Sequence, residues 1–212
     1  MDFTQFVNHF IALLVIANPL SALPAVLRVT RNQTFAEKRH TGLVAAFAVG
    51  IILLIATWIG TPLLMILGIG LPAFQVTGGV VIFMMALSML NAEESPMKQT
   101  AEEQKERQGD MGAIVPLAIP IIAGPGAIST VIVSVNQFPG VVNQVLISIA
   151  SVLVALAMGV LLYFAGDIEK LFGKTGINIV KRLGGLILAA IAVQVLSEGI
   201  IGLFPSLASH AA

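Results

Sequence analysis

Apolar residues run almost unbroken through six stretches of this chain, near 3–27, 42–68, 71–90, 112–135, 141–165 and 183–204, and polar residues collect between them. Each run holds the roughly 20 apolar residues that a helix needs to cross ~30 Å of hydrocarbon. The pattern predicts an all-α integral membrane protein with six transmembrane helices. Composition agrees: 57% of residues are hydrophobic and 10% are charged, against roughly 25% charged in a soluble domain. Mean hydropathy is +0.97. A single membrane domain fills residues 1–212, since no polar stretch is longer than the connection 91–111.

Lysine and arginine sort by connection. Arg28, Arg31, Lys38 and Arg39 follow the first run, Lys98, Lys105 and Arg107 the third, and Lys170, Lys174, Lys181 and Arg182 the fifth. The positive-inside rule makes these three connections cytoplasmic and turns both termini outward. The chain begins MDFTQF, with Asp2 and no base before Arg28, so the first run is expected to be retained rather than cleaved as a signal peptide. There is no cysteine, and His9, His40 and His210 are widely separated. Thiolate metal sites and disulfides are thereby excluded, and the three histidines suggest no local ligand pair.

The connection 91–111 divides the runs three and three, into a first repeat of about 1–90 and a second of about 112–204. An odd number of spans per half requires the halves to be inverted. An offset of 106 residues superposes their unusual positions: Pro19 on Pro125, Ala17 on Ala123, Gly60 on Gly166, Gly78 on Gly184 and Gly79 on Gly185. A proline in the first helix of each half and a glycine pair in the third keep one register. The expected architecture is two inverted three-helix repeats, each with a broken first helix.

The breaks are ANPLSALP at 17–24 and AGPGAIST at 123–130. Proline removes a backbone donor and clashes with the carbonyl four residues back. Inside a bilayer such a defect survives only where protein or a watery cavity satisfies the freed groups. Paired discontinuous helices are the best sequence pointer to a transporter site near the midplane. Asn18, Pro19, Leu20 and Ser21 in one break, with Gly124, Pro125, Gly126, Ser129 and Thr130 in the other, are therefore the candidate substrate-binding residues. A half-helix starting after each proline would offer N–H groups and a positive dipole end to a carboxylate, and the carbonyls of the preceding half-helix would suit an ammonium or cation. A zwitterion satisfies both. Gly124, Gly126 and Ala127 leave little side-chain bulk, so the cavity floor is expected to be backbone and the ligand small.

With NPLSALP after an apolar start, PLAIPIIAGPGAIST opening the second half and QVTGGVVIF in the third helix, the chain resembles the MarC family of bacterial inner-membrane proteins. That family includes transporters of small neutral amino acids such as alanine and glycine. The resemblance covers essentially the whole chain and implies a secondary transporter whose first and fourth helices build the site, in the bacterial inner membrane. Partners would be glycine or alanine and the lipid bilayer, not nucleic acid. No cofactor is expected beyond a coupling ion, H+ or Na+. The alternatives are a passive small-solute channel of the aquaporin-like inverted-repeat type and a membrane accessory protein without a ligand. The channel fits less well, because its paired motifs lie in re-entrant loops between full spans. Catalysis is not expected, because no nucleophile and base or paired carboxylates cluster within the spans.

Gly78-Gly79, Gly184-Gly185 and the small-residue pairs Ala46/Gly50, Ala56/Gly60, Ala155/Gly159 and Gly185/Ala189 read as seams for close helix contact. Glu198 and His9 are the titratable groups within the spans and the candidates for proton coupling. Both lie toward the outer ends of their runs, where interfacial hydration is the expected state.

The topology can be tested directly on the cysteine-free chain. A single cysteine at Gln99 should be shielded from an impermeant thiol reagent in intact cells, and one at Ser209 should react. Outside labelling of the Gln99 position would refute inverted halves.

Overall fold

The computed structural model of the chain describes residues 1–19, 22–23, 34–91 and 114–206. Helices in order are α1 (Phe3–Ala17), α2 (Phe35–Ile66), α3 (Leu71–Leu90), α4 (Ile114–Gln137), α5 (Val141–Tyr163) and α6 (Ala165–Leu203), with no strand among the described residues. The acidic connection through 92–113 lies outside them.

Helix ends follow local chemistry. Asp2 caps α1, exchanging side chain to backbone hydrogen bonds with Gln5, each 2.8 Å long, and Thr34 and Glu37 form the same reciprocal box on α2. Hydrogen bonds from the Thr34 backbone and side chain hold the Glu37 carboxyl below its ordinary range. At the far end of α2, Gly68 turns left-handed at φ 68°. Its N–H reaches the Met65 carbonyl and the Ile69 N–H reaches that of Leu64, closing the orphan carbonyls. Pro72 then sits in the first turn of α3, where its missing donor costs nothing.

The segments Phe35–Ile66, Leu71–Leu90, Val141–Tyr163 and Gly176–Leu203 are long and apolar enough to cross a bilayer. Their outer faces carry Phe47, Trp58, Leu156, Val160, Leu183 and Leu186 in the open, a surface that hydrocarbon rather than water would cover.

One boundary departs from the hydrophobic pattern. The first apolar run is broken as expected, with α1 stopping at Ala17. The basic stretch before residue 183, read as a connection, is helical from Ala165 and changes direction only at Gly173, at φ 61° and ψ 176°. Charge ends a membrane span but not a helix, since Lys and Arg stems can lie along apolar surface with their heads in water.

Packing joins each helix to the one in the same place on the other side of the acidic connection. Along α2 and α5, Gly42 meets Leu162, Ala46 meets Gly159 and Gly50 meets Ala155. Along α3 and α6, Val76 meets Gly199, Gly79 meets Leu196 and Met89 meets Gly185. Between α1 and α4, His9 meets Ser134 and Ile16 meets Gly126. Numbers rise on one helix as they fall on its mate, so all three pairs are antiparallel.

The small residues are where backbones come closest. A Cβ on Gly50 would lie 3.1 Å from that of Ala155, and one on Gly159 would lie 3.3 Å from that of Ala46. Two of the seams expected from the sequence, Ala46/Gly50 and Ala155/Gly159, thus face one another. Gly79 is pressed by Leu196, and Gly185, 106 residues later, by Leu90, 106 residues earlier. The Gly60–Gly166 match does not extend to packing: Gly60 abuts Ile132, whereas among the described residues nothing comes within 4 Å of a Cβ on Gly166.

Substitution should reproduce this contrast. At Gly185 a Cβ would fall 3.0 Å from Met89 Cβ and 3.1 Å from the Ala86 carbonyl oxygen, so Gly185→Leu should cost at least about 1–3 kcal/mol by overpacking. Gly166→Ala should cost nothing measurable. Unfolding in detergent micelles compares the two.

Candidate functional site

Both predicted breaks are present, and each falls on the residue immediately before the proline. Asn18 is left-handed, at φ 47° and ψ 66°, and is the non-glycine residue with positive φ among those described. Asparagine is one of the few residues that visits this region at modest cost. Its N–H closes α1 on the Leu14 carbonyl at 3.1 Å, and the chain is helical again at Pro19, Ala22 and Leu23. Gly124 interrupts α4 at φ 53° and ψ 144°. The extended ψ is what a following proline demands, and combining it with positive φ is open essentially to glycine alone. Asn18 and Gly124 stand at the same 106-residue offset as the prolines.

The two breaks are neighbours. Ile16, at the end of α1, lies 3.3 Å from where a Cβ of Gly126 would stand. Helix α3 crosses both. The Asn18 amide Nδ2 donates to Met89 Sδ at 2.7 Å, and one turn back Met85 places Cε and Sδ 3.6 Å from the Cβ positions of Gly124 and Gly126. Asn18 is buried, Pro19 half-buried and Pro125 exposed.

The remaining candidates divide. Ser129 is buried against Gly78 of α3. The Thr130 hydroxyl donates to the Gly126 carbonyl at 2.9 Å. Leu20 and Ser21 lie outside the described residues. Gly126 does not floor an open cavity as its small size suggested. Ile82 Cγ1 stands 2.8 Å from its Cβ position, so its missing side chain is used for helix contact.

His9 corrects a second expectation. It is 7% exposed rather than hydrated, with Nδ1 3.0 Å from the Ser134 hydroxyl and Nε2 buried without a partner among the described residues. The pairing of α1 with α4 covers it. Glu198 is exposed, as its position near the helix end suggested. Its carboxylate collects Gln75 of α3 and Gln137 of α4 at 3.0 Å, and Gln194 of its own helix at 3.3 Å. Sequence reading missed Gln137, Gln194, Ser134, Met85 and Met89. Glutamines near the ends of three apolar helices were a usable signal, whereas nothing separates the two methionines from other apolar residues of α3. Among the described residues no group of histidines, cysteines and carboxylates could hold a metal ion.

Comparison with known proteins gives a consistent result. Residues 3–204 match the MarC family of integral membrane proteins. A UPF0056 membrane protein of Buchnera aphidicola (from Acyrthosiphon pisum) is 36% identical over 97% of this chain and 96% of its own length. The UPF0056 membrane protein YhcE of Escherichia coli is 33% identical over the same shares. The UPF0056 inner membrane protein MarC of Citrobacter koseri is 33% identical over 90% of this chain and 91% of its own. No solved structure matches.

The two break residues should respond differently to substitution. Gly124→Ala forces a Cβ into a glycine-only conformation and should cost about 1–3 kcal/mol. Asn18→Gly keeps the backbone conformation open and loses the side-chain hydrogen bond to Met89, which alone is worth about 0.5–1.5 kcal/mol. Chemical unfolding in detergent is the measurement.

Proposed function

The chain belongs to the MarC family of integral membrane proteins, and from that premise we propose that it is a secondary transporter of small neutral amino acids, of the glycine and alanine class, working by alternating access. The observation that carries this reading is the pair of adjacent helix breaks at Asn18 and Gly124, each followed by proline and both covered by α3. A half-helix starting at each proline would turn N–H groups toward a carboxylate, and the carbonyls ending the preceding half would receive an ammonium. Side-chain charge plays no part: among the described residues the polar groups at the breaks are Asn18, Ser129 and Thr130. A ligand with a charged side chain would bury it unpaired.

The architecture that goes with this reading is six spans in two inverted halves. Antiparallel pairing of α1 with α4, α2 with α5 and α3 with α6 supports it, as does the exchange of Gly79–Leu196 for Gly185–Leu90, because a two-fold axis in the membrane plane requires both. Placement in a bacterial inner membrane follows the naming of the Citrobacter relative, with the termini outward by the distribution of Lys and Arg. The breaks lie within the first helix of each half rather than between spans, which favours a carrier over an aquaporin-like channel.

Proteoliposomes holding the purified protein should take up radiolabelled glycine and alanine saturably, each competing with the other, with lysine and glutamate failing to compete. Linear, non-competing flux would make the protein a channel. Absence of flux above empty vesicles would leave an accessory protein.

A further inference from the structure

We propose that Met85 is the specificity-determining residue of this site: its thioether fills the space beside the broken backbone at Gly124 and Gly126 and so sets the largest substrate side chain that can enter. The inference rests on the transporter reading and names what that reading leaves open, the origin of a preference for small side chains.

Glycines at 124 and 126 create room at the break only if no other group fills it. Among the described residues the nearest non-neighbouring atom to the Gly124 Cβ position is Met85 Cε, at 3.6 Å; at Gly126 Met85 Sδ stands equally far, behind Ile82 and Ile16. Ile82 is fully buried and Ile16 nearly so. Both are stiff at χ1 and form fixed walls of the bundle. Met85 is half-buried, unbranched, and able to change shape through its three torsions without moving the backbone. Of the described side chains against the two glycines, it alone combines contact, partial accessibility and freedom to move.

The same face of α3 reaches the other break. Met89 follows Met85 by one turn, takes the Asn18 amide on its sulfur, and is wedged against Gly184 and Gly185 of α6. Met89 is thus pinned while Met85 is not. At the 106-residue offset the corresponding residues are Ile191 and Val195, both β-branched. The adaptable side chains therefore lie on only one of the two equivalent helices, the one against the glycine-rich break. A substrate held there by its ammonium and carboxylate directs its own side chain into volume that Met85 occupies. Hydrogen or methyl leaves the thioether nearly in place. An isopropyl or isobutyl group must displace it into packed surroundings, and a mismatch of one or two carbons in an apolar pocket is worth about 10–200-fold in selectivity.

The test measures inhibition of radiolabelled alanine uptake by unlabelled valine and by unlabelled alanine in the same proteoliposomes. Met85→Ala should lower the ratio of half-inhibiting valine to alanine concentrations at least tenfold. Met84→Ala, on the exposed side of the same helix, should leave the ratio at the wild-type value. A Met85→Ala protein that takes up alanine with a ratio within twofold of wild type overturns the proposal and leaves the transporter reading standing. Wild-type vesicles that accumulate neither glycine nor alanine remove that reading, and this inference with it. Should Met85→Ala not insert, the wild-type protein decides. Saturating alanine should change the rate of Met85 oxidation by dilute peroxide at least threefold, read by peptide mass spectrometry, with Met84 unaffected; an unchanged Met85 rate overturns the proposal.

Discussion

A backbone that leaves its helix inside hydrocarbon must be covered by protein, because lipid offers nothing to pair with a freed N–H or carbonyl. Under the six-span architecture proposed above, Asn18 and Gly124 put this chain under that constraint twice. The arrangement of the other helices follows from it. Helices α1 and α4 run against each other so that each break borders the other, and α3 crosses both with Ile82, Met85 and Met89. That crossing requires α3 to come close, which Gly78 permits by admitting Ser129 of α4. Helix α6 then holds α3 from behind through Gly184, Gly185 and Gly199. The glycines of the bundle are concentrated where one covering layer must approach the next.

Polar side chains keep to two kinds of place. Hydroxyls inside helices turn back on their own backbone, as Thr57 does to Leu53 and Ser151 to Ile147, which satisfies the donor without a partner helix. Groups that bridge helices gather near the ends. Glu198 with its three glutamines fastens α6 to α3 and α4, and Trp58 and Gln144 tie α2 to α5 through Ser148 and the Thr57 carbonyl. Between these belts the contacts are mostly apolar. His9 with Ser134 and Asn18 with Met89 are polar contacts between helices there, and the burial of His9 follows from α1 lying on α4.

What could be read from the sequence was what the bilayer dictates. Helix α3 occupies Leu71–Leu90, the range its apolar run marked, because Pro72 and the polar residues after 90 bound it sharply. The breaks were legible because proline and glycine act locally, and their effect on φ and ψ does not wait for tertiary structure. The extent of α6 was not legible, since hydropathy registers where water begins and not where a helix ends. Burial of His9 was missed for a related reason: depth along a helix can be counted along the chain, but the neighbour that covers a side chain cannot. Met85 and Met89 lie beyond pattern reading altogether. Their significance comes from two glycines and an asparagine that are distant in sequence and become neighbours only when α3 crosses the breaks.

The middle of the interface of α2 with α5 sets Ala46 and Gly50 directly against Gly159 and Ala155. None of these side chains has a torsion to set, so none has rotamer entropy to lose or regain when its partner changes. Over that stretch nothing interlocks, and the register of the two helices is held at its ends, by Leu162 in the notch of Gly42 on one side and by the Trp58–Ser148 and Gln144–Thr57 hydrogen bonds on the other. Along α3 and α6 the interlocking is spread out instead, because Leu196 and Leu90 each project into a glycine notch on the opposite helix. One seam is clamped at its ends, the other is geared along its length.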